Sequence, residues 1–261
     1  VLAQLIEVFK YREAARLLTL RELQVRYSNS VLGVVWSLLY PLALTLFFSL
    51  AFTLVFPSNI PNYPVFFLAA LLPWNFFSLA VVSGTGVILN NSPLVNRVRF
   101  PREILPLAVV SANAVNYLIA LIPLAALMLV FGVPFTPALL WLPVLLAVQF
   151  AFVLGLVLAL SALNVFLRDV QQIVEVLMLP LFFLTPIVYS FSNSPVSASL
   201  QQLALIANPM AGLVTQYRRV IYSGTAPDWP LLAITALEAL VVLLAGLLIF
   251  NRLAPYFADE L

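Results

Sequence analysis

The chain has 261 residues, of which 64% are hydrophobic and 8% charged, with a net charge of +2. Soluble chains are about 45–50% apolar and about 25% charged. A soluble fold is therefore excluded, and an all-α integral membrane protein is expected. There is no cysteine and no histidine, which removes disulfide chemistry, the commonest metal ligand and the commonest general base.

In chain order, residues 4–27 read as a basic amphipathic helix. Leu5, Phe9, Leu17, Leu20 and Leu23 are apolar, while Lys10, Arg12, Arg16 and Arg21 carry charge. Such a helix lies in the membrane interface or serves as a basic flank that sets topology. No signal peptide is expected, because no short apolar core follows a basic start.

Charge then disappears between Arg26 and Arg97, between Glu103 and Arg168, and between Glu175 and Arg218. A crossing helix needs about 20 apolar residues, so the two longer tracts each hold two. Six spans are predicted at about 31–56, 64–89, 104–131, 138–163, 171–190 and 230–251. Turn-forming runs such as Phe56-Pro57-Ser58-Asn59 and Gly132-Val133-Pro134 separate them.

The segment 191–229 is rejected as a span, because it carries Gln201, Gln202, Gln216, Arg218 and Arg219. Asn208-Pro209 breaks it with a cap followed by a first-position proline. Two short helices, 196–207 and 209–222, are expected. Ten of the twelve basic residues fall on one side if the N-terminus is inside. Both termini are then cytoplasmic and 191–229 external.

Between the second and third spans lies 90–103. Ser92 and Pro93 start a short helix there and Pro101 stops it. Leu94 and Val98 share one face, while Arg97 and Arg99 flank it beside Phe100. The pattern suits a docking element, or an ordinary basic loop. Glu238 is the one acid deep in a predicted span, and an intramembrane charge is a functional candidate or a partner in helix packing. No G-x-x-x-x-G-K-[ST] occurs and the one lysine is Lys10, so this chain hydrolyses no nucleotide through a P-loop.

Several stretches stand out in order along nearly the whole chain. They are 26–41 (Arg-Tyr-Ser-Asn-Ser-Val-Leu-Gly-Val-Val-Trp-Ser-Leu-Leu-Tyr-Pro), Phe100-Pro101-Arg102-Glu103-Ile104-Leu105-Pro106 and Arg168-Asp169-Val170-Gln171-Gln172. Leu184-Thr185-Pro186-Ile187-Val188-Tyr189, Asn208-Pro209-Met210 and Tyr256-Phe257-Ala258-Asp259 complete the series. Together they resemble ABC-2 type polysaccharide exporter permeases, the membrane subunits of O-antigen and teichoic-acid transporters.

The resemblance implies a single transmembrane domain over 1–261, working as a homodimer. It implies an interfacial helix at 4–27, a coupling helix in 90–103 and external gate helices in 191–229, the last pointing to Asn208, Pro209, Arg218 and Arg219. The implied partners are two copies of a separate ATPase, which would hold the ATP and magnesium, and a glycan on undecaprenyl diphosphate. No cofactor, metal site or catalytic residue is expected in this chain.

Trp36, Tyr40, Phe48 and Phe52 recur at multiples of four on the first span. Such a ridge could serve a sliding glycan, because sugar C–H faces pack on aromatic rings. It could equally be ordinary core or lipid-facing aromatics. The alternatives are a drug or lipid permease of the same superfamily, a membrane-embedded glycosyl- or phosphotransferase, and an ion-coupled transporter. The transferase would need clustered acids that the chain lacks, and the ion-coupled transporter buried charges and internal repeats.

Overall fold

The computed structural model describes residues 11–27, 35–55, 60–97, 100–190 and 197–261. Among them there is helix and turn but no strand, as a chain must be when lipid offers no partner for backbone polar groups. The helices are α1 (Arg12–Tyr27), α2 (Val35–Leu50, continued by a π turn Ala51–Val55), α3 (Tyr63–Thr85), α4 (Val87–Asn90) and α5 (Ser92–Arg97). They continue with α6 (Ile104–Val130), α7 (Leu142–Phe166), α8 (Asp169–Leu184), α9 (Ala198–Ala207), α10 (Pro209–Ile221), α11 (Trp229–Leu253) and α12 (Phe257–Glu260).

Four of the described helical stretches are long and apolar enough to cross a membrane: Tyr63–Thr85, Ile104–Val130, Pro137–Phe166 and Trp229–Tyr256. The apolar run Leu38–Leu54 is shorter. Where the sequence predicts a span at 171–190, helix α8 has 16 residues and ends at Leu184. Thr185 is extended, and Pro186 follows it with no N–H to continue the ladder. Where a single helix to residue 89 is predicted, α3 ends at Thr85 and Gly86 separates it from α4.

Helix α3 is the hub. Most of its side chains are buried, from Tyr63 and Val65 through Phe77 to Val81, and α2, α6, α7, α8 and α10 pack around it. An all-round apolar helix has no preferred face, so every side of it can take a neighbour. Pro73 lies inside α3, and Gln149 Nε2 on α7 donates to the Pro73 carbonyl at 2.7 Å. That bond fixes the turn of α3 that presents Trp74 and Asn75.

Helices α7 and α11 form the most extensive pair. Gly155 and Gly246 let their backbones touch: a Cβ on Gly155 would lie 2.6 Å from the backbone of Leu243. Small residues at such crossings let dispersion contacts form between backbones, where lipid removes the hydrophobic drive for helices to associate.

The end of the bundle holding 86–103 has its own apolar cluster. Ile88, Val95, Leu105, Val109, Leu158, Phe250 and Phe257 are buried there. Leu18 of α1 packs against them, and the Arg21 guanidinium donates to Asn91 Oδ1 at 3.3 Å. Helix α1 thus lies across this end, bonded to the turn that begins α5.

Candidate functional site: a half-open aromatic and amide cavity

A cavity of about 740 Å³ lies among α2, α3, α6 and α8. Much of its lining is aromatic. Trp36 and Tyr40 come from α2, Trp74 and Phe76 from α3, Tyr117 from α6 and Phe182 from α8. The polar groups are Asn75, Ser78, Asn113, Asn116 and Glu175. Asn113 donates to the Val109 carbonyl at 2.9 Å, and Glu175 accepts from Gln171 Nε2 at 3.2 Å. Gln171 is held in turn, its N–H donating to Asn164 Oδ1 at 3.1 Å. The 168–172 motif therefore sets the register of α8 and, through it, the place of Glu175.

The proposed ridge on α2 divides. Trp36 and Tyr40 are 53% and 55% exposed and line the cavity. Phe48 and Phe52 are half-buried and pack against the core. Phe48 stacks on Phe67 at 4.8 Å between centroids, and Phe52 on Tyr63 at 5.4 Å. Phe182 joins the two groups, meeting Trp74 edge-on at 5.7 Å and Phe48 at 6.3 Å. A spacing of four over 16 residues accumulates a rotation of about 40° per step on a 3.6-residue helix, which is why the row leaves the cavity.

At the opposite end from 86–103, Arg218 of α10 is 8% exposed. Its Nε donates to the Phe66 carbonyl at 3.2 Å, and Nη1 to that of Tyr189 at 3.0 Å. Further bonds run from Nη1 to Pro186 and from Nη2 to Ile187. The guanidinium carbon stands 3.6 Å from the centroid of Phe66, a close cation–π contact. Burial draws its pKa down to about 9, which leaves it a cation at neutral pH. Tyr63 adds a bond from its hydroxyl to the Val188 carbonyl at 2.9 Å.

Asn208 caps α10, its Oδ1 accepting from the Met210 N–H at 3.1 Å, and its Nδ2 reaches Thr185 Oγ1 at 3.1 Å. Pro209 occupies the first helical position. Two motifs separated in sequence, 184–189 and 208–210, therefore meet. Arg219 is half-buried and donates to the Ala226 carbonyl at 3.3 Å.

In the 90–103 segment, Pro93 is exposed, while Leu94 and Phe100 are half-buried against the chain's own cluster. Their apolar surface is thus partly spent inside this chain. Arg97 ends α5; Val98 and Arg99 lie outside the described residues, as do 4–10, 31–34, 56 and 191–196 of the expected elements. Arg102 bonds the Ala254 carbonyl and lies 5.7 Å from the Phe257 ring centroid, fastening this segment to the end of α11. Glu238 on α11 is half-buried, does not line the cavity, and its Oε2 has no hydrogen-bond partner among the described residues.

Sequence reasoning missed Asn75, Asn113, Asn116 and Glu175. For the three asparagines the signal was carboxamides recurring within apolar tracts, while Glu175, one turn inside the predicted span at 171–190, was read only as the border of a charge-free tract.

The pattern of ABC-2 type transporters matches residues 13–222. The chain belongs to the ABC-2 type transporter family. Its relatives include an O-antigen export system permease protein, RfbA, of Myxococcus xanthus, 38% identical over 260 residues and covering 98% of each chain. An RfbA of Klebsiella pneumoniae is 30% identical over 247 residues, covering 94% of this chain and 93% of its own. The polysialic acid transport protein KpsM of Escherichia coli is 25% identical over 241 residues, covering 90% and 91%. These ABC-2 relatives are permeases or transport proteins, which accords with a chain that has no P-loop lysine.

Proposed function

We propose that this ABC-2 chain is the permease subunit of an ATP-driven exporter that carries a lipid-linked polysaccharide across the bacterial cytoplasmic membrane. The observation that carries the reading is the cavity, whose aromatic faces and amides are the chemistry that holds sugars. Aromatic rings take the C–H face of a pyranose, and carboxamides both donate to and accept from hydroxyls. Contacts of this kind are individually weak, as a polymer that must keep moving requires.

In this reading the chain makes six crossings with both termini inside, α2 and α8 supplying the two shorter ones. It pairs with a second copy and with two ATPase subunits. The glycan is carried on undecaprenyl diphosphate and passes Trp36 and Tyr40. Nucleotide-driven closure of the ATPases pushes on 90–103. Arg102 hands that displacement to the end of α11 through Ala254 and Phe257. Helices α9 and α10 form the external gate, with Arg218 holding α10 to its base. A permease for a drug or a lipid is the second reading, and the amide-lined wall argues for the glycan.

The test is complementation. A strain that lacks its own O-antigen permease but keeps the ATPase of that system receives this chain, and surface polymer is measured by immunoblot. Restored polymer, lost again on Trp36→Ala with Tyr40→Ala, is the expected result. Polymer export that is unchanged in the double variant defeats the path. For orientation, single cysteines at Asn96 and Ser223 in this cysteine-free chain are exposed to an impermeant thiol reagent in intact cells. Labelling should occur at Ser223 alone; labelling at Asn96 alone reverses the topology.

A further inference from the structure

The cavity is uneven in charge. Among the described residues lining it, Glu175 is the one charged side chain, and no arginine or lysine faces it. The Gln171 amide holds the Glu175 carboxylate at 3.2 Å, and among the described residues no cation pairs with it. Glu175 is exposed, so its carboxylate is open to whatever occupies the cavity, and Met178, Leu179 and Phe182 line the space on the same helix.

We infer that the path selects the repeating sugars of the glycan by charge, admitting neutral or amine-bearing units and rejecting those that bring an acid at every unit, unlike the single diphosphate of the carrier, with Glu175 as the discriminating residue. The inference rests on the proposed glycan path. A neutral sugar presents hydroxyls that the carboxylate and the amides can bond. A sugar carboxylate meets a like charge and, among the described residues lining the cavity, no guanidinium or ammonium to receive it. Discrimination by a repulsive element is the economical form of specificity here, because the aromatic contacts are shared by every pyranose. The cation of Arg218 does not offset this, since its donors are taken by backbone carbonyls.

The test uses the permease co-expressed with its ATPase and reconstituted in nanodiscs of neutral lipid, so that bilayer charge contributes nothing. Fluorescence of Trp36 and Trp74 in the cavity wall reports binding. The probes are a neutral mannose hexamer, a glucosamine hexamer and a sialic acid hexamer. The mannose and glucosamine probes should bind at least about tenfold more tightly than the sialic acid probe, a difference of about 1.4 kcal/mol. Glu175→Gln should remove most of that gap, and Glu175→Arg should reverse it.

Equal binding of mannose and sialic acid hexamers by the unaltered protein overturns the inference and leaves the glycan path standing. So does a gap that survives Glu175→Gln. Absence of a signal from all three sugars, in protein that retains its ATPase, overturns the glycan path itself.

Discussion

The Arg218 knot and the cavity both place polar groups within a largely apolar bundle, and they do so in opposite ways. At the knot, the guanidinium donors end on the carbonyls of Phe66, Pro186, Ile187 and Tyr189. In the cavity, Asn75 and Glu175 border about 740 Å³ of space. A saturated polar cluster specifies one geometry, because every alternative leaves a buried group unpaired. A polar wall facing space leaves part of its bonding capacity for something that enters.

The largest expected effect tests the first half of that contrast. Arg218→Ala strands those carbonyls and removes the cation–π contact with Phe66, at a cost of about 3 kcal/mol or more. The purified protein should melt well below the unaltered chain when followed by size-exclusion in detergent. Arg218→Lys keeps the charge but not the planar fork, so its melting point should fall between the two. A neutral outcome for Arg218→Ala would show the carbonyls find water instead.

Phe48→Ala comes next. Its ring lies between Phe52, Phe67 and Phe182, and truncating a half-buried aromatic of this kind should cost about 2 kcal/mol. The loss should appear as a lower melting point, with export reduced only in proportion to the folded protein remaining.

Trp36→Ala with Tyr40→Ala should change stability least, within about 0.5 kcal/mol, since the rings are more than half exposed. Export should nonetheless fall about tenfold at equal permease level. A double variant that loses stability as Phe48→Ala does would erase the distinction between the two halves of the α2 row.

Those two halves also show how far a sequence pattern reaches. Multiples of four put Trp36, Tyr40, Phe48 and Phe52 on one strip of α2, but a strip two turns long faces one neighbour and four turns face several. Which neighbour each ring meets depends on how α3 and α8 cross α2. The Asn208-Pro209 break was legible because its chemistry is local: the side chain that caps α10 is two residues from the N–H it receives. Arg218 was legible as a polar residue in an apolar chain. That it is buried was not, because its acceptors lie 29 to 152 residues away in the chain.

Composition and the order of charge-free tracts by themselves determined that this is a helical membrane protein, and the sequence shows no P-loop motif. Those properties depend on hydropathy and on residues near one another in the chain. Tertiary structure decided that Leu94 and Phe100 turn partly inward, that Arg102 reaches the Ala254 carbonyl, and that three separate amides and Glu175 border one cavity. Each of these depends on how helices far apart in sequence cross, which is set by close approaches such as Gly155 on Leu243. Apolar periodicity marks a face for burial, and only packing decides what that face is buried against.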